Sequence, residues 1–157
     1  MASVIRGDDN FDTEPTLAAN VPAFSAKLST AQDIPDATAT KVIFQTEDFD
    51  THGKYDASTG RFTPTIAGKY VITSGFSFGD GVGAAQVRLS IRKNGTDVAV
   101  TSNEYNSTAG WGALNTIYIG SADADDYFEI WAYQNRGQAT NIGAANSVFS
   151  AFKLSGA

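Results

Sequence analysis

The stretch "VRLSIRKNGTDVAV", residues 87–100, constrains the fold more than any other part of the sequence. Val87, Leu89 and Ile91 are apolar and the residues between them are polar, which is the period of a strand with one buried face. The Asn-Gly pair at 94–95 favours the positive φ angles of a type I′ turn, and a second β-rich stretch follows it. The sequence therefore predicts an antiparallel hairpin here.

Similar short stretches, divided by turns rich in Gly, Pro, Asn and Asp, recur from Val21 onwards. We count nine or ten of them and find no convincing helical periodicity. Many short strands at this spacing are typical of two packed antiparallel sheets. We therefore predict an all-β domain in residues 21–157, an antiparallel β-sandwich or jelly roll of about ten strands.

Residues 1–20 have a different character, with no sustained periodicity and four acidic side chains close together. Such a segment gains little by folding alone and more by lying along another protein. We interpret it as an extended N-terminal arm that becomes ordered on a partner. Its apolar side chains would be the anchors: Val4, Ile5, Phe11 and Leu17.

Composition excludes several classes of protein. The chain has no cysteine, so disulfides, thiolate catalysis and Cys-ligated metals are excluded. A net charge of −6 disfavours binding to nucleic acid. No run approaches the roughly 20 apolar residues that span a membrane, and the N-terminus lacks the apolar segment of a secretory signal. We therefore expect no nucleic-acid partner, no membrane span and no signal-directed secretion.

Five motifs in a fixed order carry a resemblance to a known family. The longest is "GKYDASTGRFTPTIAGKYVITSGFSF", residues 53–78. The others are "PAFSAKLS", "VRLSIRKNG", "DADDYFEIWAY" and "SVFSAFKL", and together the five cover residues 22–154. This pattern resembles the head domain of complement C1q, in the C1q/tumour necrosis factor superfamily, and in particular its stand-alone bacterial and phage versions. The resemblance implies a jelly-roll homotrimer that binds partners and catalyses nothing.

A trimer of this kind needs a sheet that is uncharged on both faces. In "KYVITSGF", Tyr70 and Ile72 are predicted to face the core, which leaves an uncharged opposite face. In "SVFSAFKL", Phe152 and Leu154 are predicted to face inward. The predicted trimer interface consists of the opposite set on the two strands: Val71, Thr73, Gly75, Phe149 and Ala151.

Few residues in the sequence suggest catalysis or metal binding. His52 is the only histidine, and it lies in a turn-rich segment without a recognisable nucleophile or metal-ligand pattern. We therefore predict no enzyme activity and no cofactor. Asp123, Asp125 and Asp126 form an acidic turn that carboxylate-seeking calcium could use, although such turns more often serve solubility.

Tyr127, Trp131 and Tyr133 alternate along "YFEIWAYQ", opposite an apolar set. If that set is in the core, the three aromatic side chains face outward. Outward aromatic residues are favoured at binding sites, and packing under a loop or against the arm is the equally weighted alternative.

Three functional hypotheses follow, all of them non-enzymatic. The first is a trimeric phage virion protein that decorates or cements the capsid and is attached to a capsid or tail protein by the arm. The second is a tail-fibre or spike module that binds a host-surface glycan or protein. The third is a bacterial surface adhesin or spore-surface trimer.

Overall fold

The computed structural model describes residues 21–79, 84–106 and 112–154. Thirteen β-strands and no helix lie in these ranges, against the predicted nine or ten strands. The extra strands are pairings of two to five residues in segments without a clear strand pattern in the sequence. The strands are β1 (Ala23–Lys27), β2 (Gln32–Ile34), β3 (Thr40–Val42), β4 (Thr46–Asp50), β5 (Tyr55–Asp56), β6 (Arg61–Phe62), β7 (Gly68–Phe78), β8 (Ala84–Lys93), β9 (Thr96–Asn106), β10 (Gly112–Ala122), β11 (Phe128–Gln134), β12 (Thr140–Ile142) and β13 (Val148–Lys153).

The strands form two sheets. The first has the order β2-β12-β7-β13-β1-β4, and β10 also pairs with β7. The second has the order β5-β6-β11-β8-β9, and β3 also pairs with β11. Every pairing is antiparallel, and strands that pair, such as β1 and β13, are often far apart in the chain. The prediction of an all-β antiparallel sandwich is confirmed.

One aromatic-rich core lies between the sheets. Phe24, Phe62 and Phe149 are fully buried, and Phe24 stacks on Phe62 with ring centroids 4.6 Å apart. Tyr55 is also buried, and its hydroxyl donates a hydrogen bond of 2.8 Å to the carbonyl of Phe44. Burial of these rings from both sheets is the main stabilising contribution in a chain without disulfides.

The hairpin of β8 and β9 forms as predicted. Asn94 and Gly95 have φ angles of 52° and 81°, the left-handed conformation that a type I′ turn requires. Val87, Leu89 and Ile91 are fully buried, while Arg88 and Arg92 lie on the opposite face. The period of two in the sequence therefore gave both the strand and its buried face.

The predicted orientation of β7 is confirmed. Tyr70 and Ile72 are fully buried in the core, so Val71, Thr73 and Gly75 lie on the outer face of the first sheet.

The predicted orientation of β13 is wrong. Phe149 and Ala151, expected at the trimer interface, point into the core and are 0% and 2% exposed. Phe149 lies 4.8 Å from Phe24 between ring centroids, with the planes nearly perpendicular. The outward side chains of β13 are Val148, Ser150 and Phe152. Both faces of this strand are apolar in sequence, so its own pattern could not decide which one meets the core.

Candidate functional site

An exposed apolar surface covers the outer face of the first sheet. Ile117 and Ile119 on β10 are 56% and 62% exposed, and Phe49 on β4 is 52% exposed. The register sets Ile119 beside Val71, and Val71 beside Phe152. We call these five residues the apolar face: Phe49, Val71, Ile117, Ile119 and Phe152.

A hydroxyl row crosses the middle of this sheet. Ile117 pairs with Thr73, Thr73 with Ser150, and Ser150 with Ser25. The Ser150 hydroxyl donates to the Ser25 hydroxyl at 3.0 Å. Gly75 lies one row further along, where a Cβ atom would fall 2.1 Å from the side-chain oxygen of Asn115. The centre of the face is therefore uncharged, with small polar groups between apolar ones.

The predicted partner residues lie on the outer face of the second sheet. Tyr127, Trp131 and Tyr133 are each partly exposed, opposite the buried Phe128, Ile130 and Ala132. Their expected outward orientation is therefore confirmed, whereas their role in binding a partner stays a prediction.

Arginine side chains cover two of these aromatic rings. The guanidinium of Arg61 lies 4.1 Å from the ring centroid of Tyr127, and that of Arg92 lies 4.1 Å from the Trp131 ring. Stacking of this kind is attractive because the ring face is electron-rich. We call Arg61, Arg88, Arg92, Tyr127, Trp131 and Tyr133 the aromatic–arginine face.

Glu129 accepts hydrogen bonds from three side chains on this side of the second sheet. Its side chain is only 3% exposed, and its Oε1 atom accepts hydrogen bonds from Lys41 at 2.6 Å and Arg61 at 2.7 Å. The indole N–H of Trp131 donates to Oε2 at 3.2 Å. Burial alone would raise the pKa of Glu129. The hydrogen bonds from Lys41, Arg61 and Trp131, together with the positive charge of Lys41, outweigh burial and hold the pKa below its usual value.

Glu129 was not identified from the sequence. Its position in the series 127, 129, 131, 133 gave the face on which it lies. Its cationic partners come from β3 and β6, whose pairing with β11 is non-local and leaves no sequence signal.

The acidic turn is closed by internal donors. Asp126 accepts hydrogen bonds of 2.6 Å from the backbone N–H of Asp123 and from the Asn94 side-chain amide, and Lys93 lies 2.6 Å from it. Burial raises the pKa of Asp126, but these donors outweigh it and the pKa lies below its usual value. Asp125 is exposed. Within the described ranges, no group of three or more His, Cys, Asp or Glu side chains is placed to hold a metal ion.

A cleft of about 310 Å³ opens beside β5 and β6. Lys54, Arg61 and Asp56 contribute its charges, and threonine hydroxyls contribute most of the remaining polar lining. The Asp56 carboxylate already accepts hydrogen bonds from Ser58 and Thr59, which lower its pKa to about 2. The cleft is therefore polar and of mixed charge.

The predicted arm anchors Val4, Ile5, Phe11 and Leu17 lie outside the described residues. His52 is exposed, and its Nδ1 lies 2.9 Å from the Thr51 hydroxyl. No helix in the described ranges has the length and apolarity needed to cross a membrane.

The C1q domain family model matches residues 23–154. The chain belongs to the C1q domain family. This confirms the resemblance drawn from the five motifs, and C1q/tumour necrosis factor-like domains commonly form homotrimers and are generally non-enzymatic.

Solved structures show the same fold at low sequence identity. The globular domain of the zebrafish complement 1qA protein is 14% identical with a TM-score of 0.57, and the match covers 85% of this chain and 96% of that one. Murine APRIL, crystallised at pH 5.0, is 11% identical with a TM-score of 0.62, covering 84% of this chain and 98% of that one. In this chain, the apolar face lies on the first sheet of the jelly roll and the aromatic–arginine face lies on the second.

Proposed function

We propose that this C1q domain is a non-enzymatic structural module that acts as a homotrimer, with the apolar face buried between subunits. The observation that carries the proposal is the exposure of Ile117, Ile119 and Phe49 on one sheet. Exposed apolar surface of this kind marks protein contacts.

The arrangement of the apolar face suits a cyclic assembly. Ile117 and Ile119 lie on β10 at one edge of the first sheet, and Phe49 lies on β4 at the other edge. A threefold interface is heterologous, so each subunit presents two different patches that meet across the contact. The uncharged row of Thr73, Ser150 and Ser25 between them suits the interior of such an interface, where unpaired charge is costly.

Sedimentation of the purified chain tests the trimer. We expect a particle with three times the 16.6 kDa mass of the chain at micromolar concentration. Ile119→Asp is expected to give a folded monomer, because it would place a carboxylate in an apolar contact. Val100→Asp is the matched control, since Val100 is also an exposed aliphatic residue, 44% exposed, but lies on the second sheet.

A monomeric wild-type protein would contradict the proposal. An Ile119→Asp protein that stays trimeric would place the interface elsewhere on the molecule.

For the location of the trimer, we propose the surface of a phage virion, as a capsid decoration protein. Support comes from the resemblance to stand-alone phage domains and from the apolar residues spaced among acids in residues 1–20. The described core is built from residues 24–151, and we propose that the arm serves a capsid or tail partner. Attachment to a host surface and a bacterial adhesin are the alternatives.

Particles from a strain that carries the gene test this location. We expect full-length protein in purified virions and in the head fraction after heads and tails are separated. Deletion of residues 1–20 is expected to leave a folded trimer and to abolish incorporation. A full-length Phe11→Ser/Leu17→Ser variant keeps the length of the arm and removes two of its apolar side chains, so it tests whether these anchors are needed for incorporation. Protein in the tail fraction would favour host attachment, and absence from all particles would contradict a virion role.

A further inference from the structure

A continuous network of charged and aromatic side chains crosses the outer face of the second sheet. Glu129 joins Lys41, Arg61 and Trp131, and Trp131 stacks with Arg92. The network then continues through Asp97, which accepts hydrogen bonds from Arg92 Nε at 2.6 Å and from Arg88 Nη2 at 3.3 Å. Side chains that are already fixed by contacts with their neighbours lose little conformational freedom when a ligand binds. The networked part of this face is therefore preorganised for a ligand.

The charge of this network is opposite to that of the chain. Four cations, Lys41, Arg61, Arg88 and Arg92, share two carboxylates, although the chain carries a net charge of −6. Further acids flank it at both ends: Asp56 pairs with Arg61 across β5 and β6, and Glu104 lies on β9 opposite Gln86. The positive surplus is therefore local, and it is best separated from these acids between Arg88 and Arg92.

A shallow depression lies at that point. It has a volume of about 20 Å³, with Ser90 in its lining between Arg88 and Arg92, and with Trp131 and Tyr133 beside them. Ser90 is only 4% exposed. A volume of this size holds one water-sized group, such as an anionic oxygen, and not a whole ligand.

The two guanidinium groups keep donors for such an oxygen. A guanidinium has five N–H groups, and the hydrogen bonds to Asp97 use Nη2 of Arg88 and Nε of Arg92. Because two cations share one carboxylate, the group Arg88–Asp97–Arg92 retains one positive charge. Hydrogen bonds to a carboxylate from such donors are charge-assisted and strong.

We propose that this part of the aromatic–arginine face binds an acidic glycan. A sugar carboxylate would lie between Arg88 and Arg92, and the apolar face of the sugar ring would lie against Tyr133, beside the Trp131 ring that Arg92 covers. Aromatic side chains suit this contact because they combine a flat apolar surface with a polar edge. The site is on the sheet opposite the apolar face, so it does not depend on the proposed trimer.

The charges favour a sugar over a polyanion. One surplus positive charge is small against the overall −6, and a nucleic acid or a strongly acidic peptide would meet Asp56 and Glu104 at the margins of the face. A glycan carries isolated carboxylates between neutral rings. One carboxylate can therefore contact the positively charged group Arg88–Asp97–Arg92 without a second anionic group lying near Asp56 or Glu104.

Calorimetric titration with defined oligosaccharides tests the proposal. The probe is a tetrasaccharide of alternating uronic acid and N-acetylhexosamine, and its carboxyl-reduced counterpart is the neutral comparison. We expect saturable binding that weakens with salt and falls about tenfold or more when the carboxylates are reduced. Arg88→Gln is expected to weaken binding about tenfold, since it removes a charged donor while Arg92 still holds Asp97.

Lys54→Gln is the matched control, because it removes one cation from the neighbouring cleft and leaves the face intact. We expect its affinity to stay within about twofold of wild type. Unchanged melting temperatures in both variants would show that the fold is preserved.

The proposal is overturned if no saturable binding occurs, or if the carboxyl-reduced sugar binds equally well. It is also overturned if Lys54→Gln weakens binding and Arg88→Gln does not, which would place the ligand in the cleft. Equal binding of an acidic peptide or a single-stranded oligonucleotide would show a general anion surface instead of a glycan site.

Discussion

The ring of Phe149 meets the ring of Phe24 edge-on, with centroids 4.8 Å apart and planes at 88°. The centroids of the Phe44 and Tyr55 rings each lie 5.8 Å from the Phe149 centroid. Because Phe149 is fully buried within one subunit, Phe149→Ala leaves a cavity there. We expect the free energy of unfolding to fall by about 3–5 kcal/mol, measured by urea unfolding.

Phe152→Ala is the control for this prediction, because Phe152 lies on the opposite face of β13. We expect it to affect the oligomeric state more than the fold. If Phe149→Ala instead gave a stably folded monomer, the Phe149 side chain would belong to a subunit interface and not to the core of one subunit.

The acidic turn leads to a prediction about calcium. The Asp126 carboxylate has three contacts, all with groups of the chain itself: the backbone N–H of Asp123, the side-chain amide of Asn94 and the ammonium of Lys93. A calcium ion would have to displace Lys93, so we expect little affinity. Neither excess chelator nor millimolar calcium should shift the melting temperature measured by scanning fluorimetry. A rise of several degrees with calcium would assign the turn a ligand role.

Asn94 combines a strained backbone with two side-chain hydrogen bonds. Its φ is 52°, its Oδ1 accepts from the Tyr127 N–H at 3.0 Å, and its amide donates to Asp126 at 2.6 Å. Asn94→Ala loses the hydrogen bonds that let an Asn side chain tolerate a left-handed conformation and keeps the Cβ there, so we expect a loss of about 2–3 kcal/mol. Asn94→Gly loses the same hydrogen bonds but also removes the Cβ, which relieves the left-handed backbone, so it is expected to cost about 1 kcal/mol less. Equal losses by urea unfolding would show that the backbone conformation contributes nothing.

The local pattern of the sequence predicted strands that have one apolar and one polar face. In β8, Leu89 and Arg88 differ so strongly that only one orientation is reasonable, and the Asn-Gly pair at 94–95 fixed the turn. In β7, the larger apolar side chains Tyr70 and Ile72 predicted which face meets the core, although Val71 on the other face is also apolar. These outcomes follow from residues within one element, which is the information that periodicity carries.

What could not be predicted depends on contacts between distant elements. Phe149 and Phe152 are equivalent by pattern, and only the pairing of β13 with β1 and β7 sends Phe149 to the core. Likewise, Lys41 and Arg61 meet Glu129 across 88 and 68 residues of chain. The outward aromatic residues, and Arg88 and Arg92 on β8, were therefore predictable, whereas the ion pairs of Glu129 with Lys41 and Arg61 were not.

Glu129 couples the stability of the fold to pH. The pKa of Glu129 is lowered in the folded protein, by the hydrogen bonds and charge of Lys41 and Arg61 acting against burial. A depressed folded pKa means that the ion pairs stabilise the protein fully above the unfolded value, about 4.3 for Glu. This stability is lost as the pH falls through the lower folded value. We therefore expect the free energy of unfolding to fall as the pH is lowered from about 5 through the unfolded value and below it, measured by urea unfolding.

Glu129→Gln separates this contribution from those of other acids. At pH 7 it leaves Lys41 and Arg61 without their shared carboxylate, and we expect a loss of about 2 kcal/mol. Because the variant has no carboxylate left to protonate at this position, its further loss on acidification should be smaller than that of wild type. Glu104→Gln, an exposed change on β9, is expected to follow the wild-type pH profile. If Glu129→Gln and wild type lose stability in parallel from pH 7 to pH 3, Glu129 does not link folding to pH.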